Sequence, residues 1–335
     1  MGGFLLRRLA FGLIAVFGVL TASFFFWTMK FWPSTPAFHA YWVWLRGIVN
    51  GQSFTTGSLP DPHPVPGQEE LPANLWTYVY SPFGRTLLLL ALTLLLVLLI
   101  AVPLGLLAAA FRGRAVDVAL RISSYAVWAV PGFLLASILQ DALGALPRTW
   151  GIHVFPTGGW AGECPNGMGI DFSNLHCPAA GTGLNHVGLV LWHLALPAIS
   201  LALGFIGLHS RYLRNALIDT LGEPYIAVAR GKGLNERRVV FRHALRNALV
   251  TFVPVLVSDF GLLFGGAFAV DLVFQLGGAG QMFIEALNLG VDALVPVDTN
   301  ALQLVLLLGA GLIFVGSVLG EVALWFIDPR TRPDR

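Results

Sequence analysis

The chain has 335 residues, 56% hydrophobic and 11% charged, with a formal net charge of +2. A soluble domain carries about 25% charged residues, so this balance, with a mean hydropathy of +0.73, excludes a soluble enzyme, a disordered chain and a nucleic-acid-binding domain with a basic face. It describes an all-α polytopic membrane protein that lives in the lipid bilayer.

A spanning helix needs about 20 mostly apolar residues, and six stretches meet that length. The first, Leu9–Met29, lies between Arg8 and Lys30. It is longer than the roughly 7–15 apolar residues of a signal peptide, has no Ala-x-Ala site and runs into bulky Phe31, Trp32 and Pro33, so it reads as an uncleaved anchor. Segment 31–84 follows, where Pro60, Pro62, Pro64 and Pro66 favour extended backbone over helix. The second span is Thr86–Phe111 and the third about Ile122–Leu143, ending near Asp141. A glycine-rich segment at 147–186 carries Cys164 and Cys177. The fourth span is about Val187–Ser210 and the fifth about Leu249–Val270, with Asp259 near its middle. Between them runs the basic stretch Arg211–Arg246. Asp271–Ala301 carries Asp271, Glu285, Asp292 and Asp298 without a basic residue, and the sixth span, about Leu302–Ile327, holds Glu321 near its end. The sequence shows no internal repeat, direct or inverted.

Lys and Arg accumulate on the cytoplasmic side of membrane proteins. With the N-terminus inside, sixteen basic residues fall on that side and four (Lys30, Arg46, Arg85 and Arg148) fall outside. Both termini are then cytoplasmic, as an even number of spans requires. The chain divides into an anchor span at 1–30, an extracytoplasmic segment at 31–84 and a five-span core at 85–335. The core carries an outer loop at 147–186 and a cytoplasmic loop at 211–246.

The cytoplasmic loop has its own architecture. Gly222 breaks the chain, and Pro224 suits a first helical turn, where its missing N–H is not needed. Tyr225–Arg230 can form two turns, stopped by Gly231 and Gly233. Asn235 can cap a second helix, whose apolar positions Val239, Val240, Ala244, Leu245, Ala248 and Leu249 lead into the fifth span. The positive-inside rule accounts for the arginines but not for a short helix presenting Tyr225, Ile226, Val228 and Ala229. Such a helix suits a groove on another protein.

The run YIAVARGKGLNERRVVFRHALRNALV resembles the loop motif of binding-protein-dependent ABC importer permeases, in particular the dipeptide/oligopeptide/nickel subfamily. The likeness extends through FLLRRLAFGLIAVFGVL, AVPLGLLAA, VPGFLLA, LALPAISLALG, SRYLRNALIDTLGEPYI, GGAFAVDLVFQLGGAGQMFIEAL and DPRTRP. The motif glycine falls on Gly233; its Glu-Ala-Ala opening falls on Ala227, Val228 and Ala229, without the glutamate. The family's usual Pro-Gly-Asp-Pro after the first span is replaced by FWPSTP, Asp271 stands for a usual glutamate and Glu321 for a usual aspartate. The resemblance implies a six-helix type I importer permease in a prokaryotic cell membrane. Its coupling helix would dock on a cytoplasmic ATPase through Pro224, Tyr225, Ile226, Ala227, Val228, Ala229, Arg230, Gly233 and Leu234. It also implies a second homologous permease, two ATPase subunits and an extracytoplasmic solute-binding protein that delivers di- or oligopeptides, with nickel or another small solute as the alternative cargo. This chain has no Gly-x-x-x-x-Gly-Lys-Ser/Thr phosphate loop, so ATP and magnesium belong to the partner subunits, and no catalytic residue, cofactor, metal or nucleic acid is expected here.

Other residues leave alternatives open. Asp259 either lines the pathway or is a packing residue, since an intramembrane carboxylate must face protein or water. Cys164 and Cys177 lie where thiols can oxidise and read as a loop-closing disulfide, with free thiols or a metal site using His153, His176 or His186 as the other readings. Gly265, Gly266, Gly277, Gly278 and Gly280 suit close helix packing or a flexible outer gate. His193 and His209 read as satisfied polar residues. An intramembrane enzyme would need a second catalytic group beside Asp259, and an ion-coupled transporter would show inverted repeats and paired broken spans. Neither is visible.

Overall fold

The computed structural model describes residues 2–31, 36–49, 75–145, 155–156, 158–160, 184–287 and 299–327, and among these there is no strand. The helices are α1 (Gly2–Phe31), α2 (Ala37–Val49), α3 (Leu75–Ala110), α4 (Ala115–Trp128), α5 (Gly132–Leu139), α6 (Leu184–Leu221), α7 (Pro224–Gly231), α8 (Glu236–Ser258), α9 (Phe260–Phe274), α10 (Ala279–Ala286) and α11 (Thr299–Ile327). Five helices are long and apolar enough to cross a membrane, and two interrupted pairs, α4 with α5 and α9 with α10, raise the number to as many as seven. The all-helical fold class of the sequence reading stands. Its third and fifth spans change.

The third span is two helices bent by 97°. Pro131 causes this: it offers no N–H to the helix before it, and its own backbone is extended at φ −54, ψ 135. Its carbonyl then starts α5 by accepting from Leu134 and Leu135 N–H, each at 3.0 Å. The fourth span, expected to end at Ser210, continues to Leu221. The fifth, expected at Leu249–Val270, is α8 followed by α9, joined at Asp259. Asp259 N–H still donates to Val255 O at 3.1 Å and its carbonyl accepts from Leu263 N–H at 2.9 Å. The carboxylate therefore stands where a 23-residue helix meets the next, with the hydrogen-bond ladder carried through it.

The chain separates into two units, one of 1–87 with 275–314 and one of 88–274 with 315–335. In the first, α2 folds back on α1 through Phe24, Tyr41 and Trp44, with ring centroids 5.1–5.7 Å apart. The Tyr41 hydroxyl lies 2.9 Å from Thr21 Oγ1, and Ser23 donates to Gln303 Oε1 at 3.1 Å. Arg85 donates to Leu276 O at 3.1 Å, and Thr86 Oγ1 accepts from Ala279 N–H at 2.9 Å.

In the second unit, α6 is the central helix and α3, α4 and α8 pack on it. Small residues set the spacing, as they do between membrane helices. A Cβ at Gly207 would lie 3.0–3.2 Å from backbone and side-chain atoms of Ser124 on α4, and one at Gly105 would lie 3.0 Å from the Ser210 carbonyl. On α11, Gly316 admits the Phe260 ring and Gly320 admits Val257.

Candidate functional site

The short helix α7 stands between the two long helices α6 and α8. Glu223 is its N-cap, Pro224 its first residue, and Lys232 its C-cap. Gly231 is the last helical residue, and Gly233 reverses the chain at φ +74, a left-handed conformation that glycine adopts without steric cost. Asn235 Oδ1 accepts from Arg237 N–H at 3.0 Å and caps the start of α8. The helix, turn and second helix expected from the loop sequence are all present.

The faces of α7 differ from the sequence reading. Ile226 and Ala229, expected on the presented surface, are buried in this chain's own core. They pack with Leu213, Leu217, Val239, Ala244 and Ala248, and Leu234 covers the same cluster. Two of every four residues along so short a helix must anchor it, and the apolar pair does so. The outward face is Pro224, Tyr225, Ala227, Val228 and Arg230, with Val228 58% exposed.

Two contacts brace α7 against α8. Arg230 forms a two-pronged ion pair with Glu236, Nη2 to Oε1 at 2.6 Å and Nε to Oε2 at 3.1 Å. Hydrogen bonding by Glu236 holds the Arg230 guanidinium above its ordinary pKa. Asn247 donates to the Tyr225 hydroxyl at 2.5 Å. Both partners lie in the loop motif, and the pair Arg230–Glu236 is recoverable from its opposite charges on either side of the Gly233 turn.

A second brace was not legible in the sequence. Buried Asp117, in the first turn of α4, accepts from Arg214 Nε and Nη2, both at 2.6 Å, and from Gly113 N–H at 2.9 Å. Arg121 stands 3.5 Å away. Arg211 lies 3.9 Å from the Tyr125 ring centroid, a cation–π distance. These partners explain how α6 carries two arginines beyond the predicted span end.

Asp259 faces His209 Nε2 at 3.6 Å. The sequence offers no obvious partner for this acid, because the pair is fifty residues apart and on different helices. His193 Nδ1 lies 3.0 Å from Gly159 O. Gly266 packs on Leu201, and Gly277 closes on Arg85 at φ +66, so these two members of the glycine group serve close approach. Cys164, Cys177, His153 and His176 lie outside the described residues. Among the described residues no three His, Cys, Asp or Glu side chains come together as a metal set.

Residues 101–333 match a known family model, described as the binding-protein-dependent transport system inner membrane component. The chain belongs to this family. It is a multi-pass membrane protein and a permease component of an ABC importer, a transport part rather than an enzyme. It is 30% identical over 301 residues to the oligopeptide transport system permease protein AppB of Bacillus subtilis (strain 168), covering 90% of this chain and 82% of that one. It is 31% identical over 208 residues to the oligopeptide transport system permease protein OppB of Mycobacterium tuberculosis (strain H37Rv), covering 62% of this chain and 57% of that one.

Proposed function

We propose that this permease forms half of a pathway for di- and oligopeptides in a prokaryotic cell membrane, with both termini in the cytoplasm. A second homologous permease forms the other half, two ATPase subunits bind ATP and magnesium, and an extracytoplasmic solute-binding protein delivers the peptide. The names of the relatives support peptide as cargo. The observation that carries the coupling role is α7 itself: its inner residues Ile226 and Ala229 are locked into the core while Tyr225 and Val228 stand exposed. A helix fixed on one side and bare on the other can pass force from a docked partner into α6 and α8 without first folding. Closure of the ATPases on ATP would draw α7 inward and turn those helices. Hydrolysis would release them.

The test is co-purification with the ATPase subunits from the same genome. Val228→Glu places a charge on the exposed face at little cost to folding, and it should reduce the recovered ATPase about tenfold. Gly233→Asp, at φ +74, should weaken association by misplacing the turn. Wild-type chain that folds yet retains no ATPase would overturn the proposal. Uptake of a labelled dipeptide by the full complex, against nickel as the comparison, then tests the cargo.

A further inference from the structure

Two ionisable side chains meet inside the helix packing of the second unit and leave atoms unsatisfied. His209, on α6, is 1% exposed. Its Nδ1 lies 2.8 Å from the Phe205 carbonyl oxygen. A carbonyl oxygen can only accept, so Nδ1 carries a hydrogen and donates it. In a neutral ring Nε2 is then a bare lone pair. Nε2 faces Asp259 Oδ2 at 3.6 Å, at the joint between α8 and α9. Both atoms are buried and have no hydrogen-bond partner.

The Phe205 and Phe252 rings flank the imidazole, with centroids at 6.0 and 5.8 Å. The α3 residues packed on this part of α6 include no titratable side chain. On α4, Asp117 and Arg121 are committed to the Arg214 cluster and Tyr125 to Arg211. On α11, Glu321 follows the Gly320 that packs on Val257, and it has an interaction of its own.

With Asp259 ionised and the ring neutral, a lone pair would face a carboxylate oxygen, both atoms buried although the Asp259 side chain as a whole is 18% exposed. Burial of an uncompensated charge is strongly unfavourable. One proton removes the conflict. Placed on Nε2 it makes an imidazolium facing a carboxylate; placed on Oδ2 it makes a carboxylic acid that donates to the ring. Either arrangement has zero net charge and one charge-assisted or neutral hydrogen bond within reach.

We propose that His209 and Asp259 form a proton-binding site that fastens α6 to the joint between α8 and α9. The ligand is a single proton, held between the helices that enter and leave the α7 loop, so the two flanking helices are tied at a second point beyond the loop. The site rests on geometry within one unit and not on the peptide or ATPase reading.

The full chain, purified alone into lipid nanodiscs, is the material for the test. Nitrogen-15 labelling of histidine reports whether Nε2 of His209 is protonated at neutral pH, with His209→Gln identifying the signal. Infrared difference spectra of wild type against Asp259→Asn report a protonated carboxyl group. Should His209→Gln fail to fold, Asp259→Asn also identifies the signal, because the ring facing residue 259 is the one that shifts. Protonation of both ring nitrogens of His209, or a carboxylic band lost in Asp259→Asn, is the expected result. A neutral ring in either tautomer together with no such band would overturn the proposal. Failure of ATPase docking would leave this outcome unaffected.

Discussion

At Asp117 the chain commits a carboxylate to a fully buried position and surrounds it with two guanidinium N–H groups and a backbone amide. Buried ion pairs gain little over apolar replacements, but breaking one side is costly because the other charge is stranded. Arg214→Met should therefore destabilise the protein by about 3–5 kcal/mol, read as a lower thermal unfolding temperature in detergent. The double variant Asp117→Leu with Arg214→Met should recover most of that loss. The exposed pair Arg230–Glu236 behaves differently. Its side chains are 45% and 59% exposed, and water screens them, so Glu236→Gln should cost about 0.2–1 kcal/mol or less in stability. Its effect should instead appear in how firmly α7 transmits movement, as a fall in peptide uptake per ATP hydrolysed. Equal loss of uptake and hydrolysis would sink that assignment.

The elements show which signals a sequence carries well. The α1, α3, α6 and α11 spans were legible because each is an unbroken apolar run, and length against bilayer thickness is a strong constraint. The α7 turn was legible because Pro224, Gly233 and Asn235 each have a narrow set of backbone uses. The 97° bend at Pro131 was hidden because apolar residues continue on both sides of it, so hydropathy cannot see the break. The end of α6 was misplaced for the opposite reason: arginines suggested water, while the structure gives Arg211 and Arg214 partners within the helix packing. The facing of α7 could not be read at all, since Ile226 and Val228 are equally apolar and only the packed cluster decides which is buried. Helix spacing gives the element-scale prediction. Gly207 lets α4 approach within 3.0 Å of the position its Cβ would occupy, and the nearest atom there is backbone. Backbone cannot rotate away as a long side chain can. Gly207→Val should cost about 1–3 kcal/mol from overpacking, whereas Gly188→Val, on the same helix with nothing within 4 Å, should leave the unfolding temperature close to wild type.

For the whole molecule the open quantity is orientation, and charge placement makes it testable. Sixteen of twenty basic residues fall on one side if the termini are cytoplasmic, and the reverse topology would put that excess outside against the usual bias. Lys232 and Glu285 are both exposed and lie on segments that this orientation places on opposite sides. In a background where Cys164 and Cys177 are serine, Lys232→Cys should resist a membrane-impermeant maleimide in intact spheroplasts and react in inverted vesicles. Glu285→Cys should do the opposite. The reversed pattern would refute cytoplasmic termini and, with them, a cytoplasmic α7, because a helix outside the membrane cannot reach an ATPase. The same reagent applied to the native cysteines reads the outer loop: if they are bonded, labelling of spheroplasts should appear after a reductant and be nearly absent before it. A disulfide there limits the unfolded loop rather than adding contacts, so reduction should lower thermal stability without altering the binding of ATPase at α7.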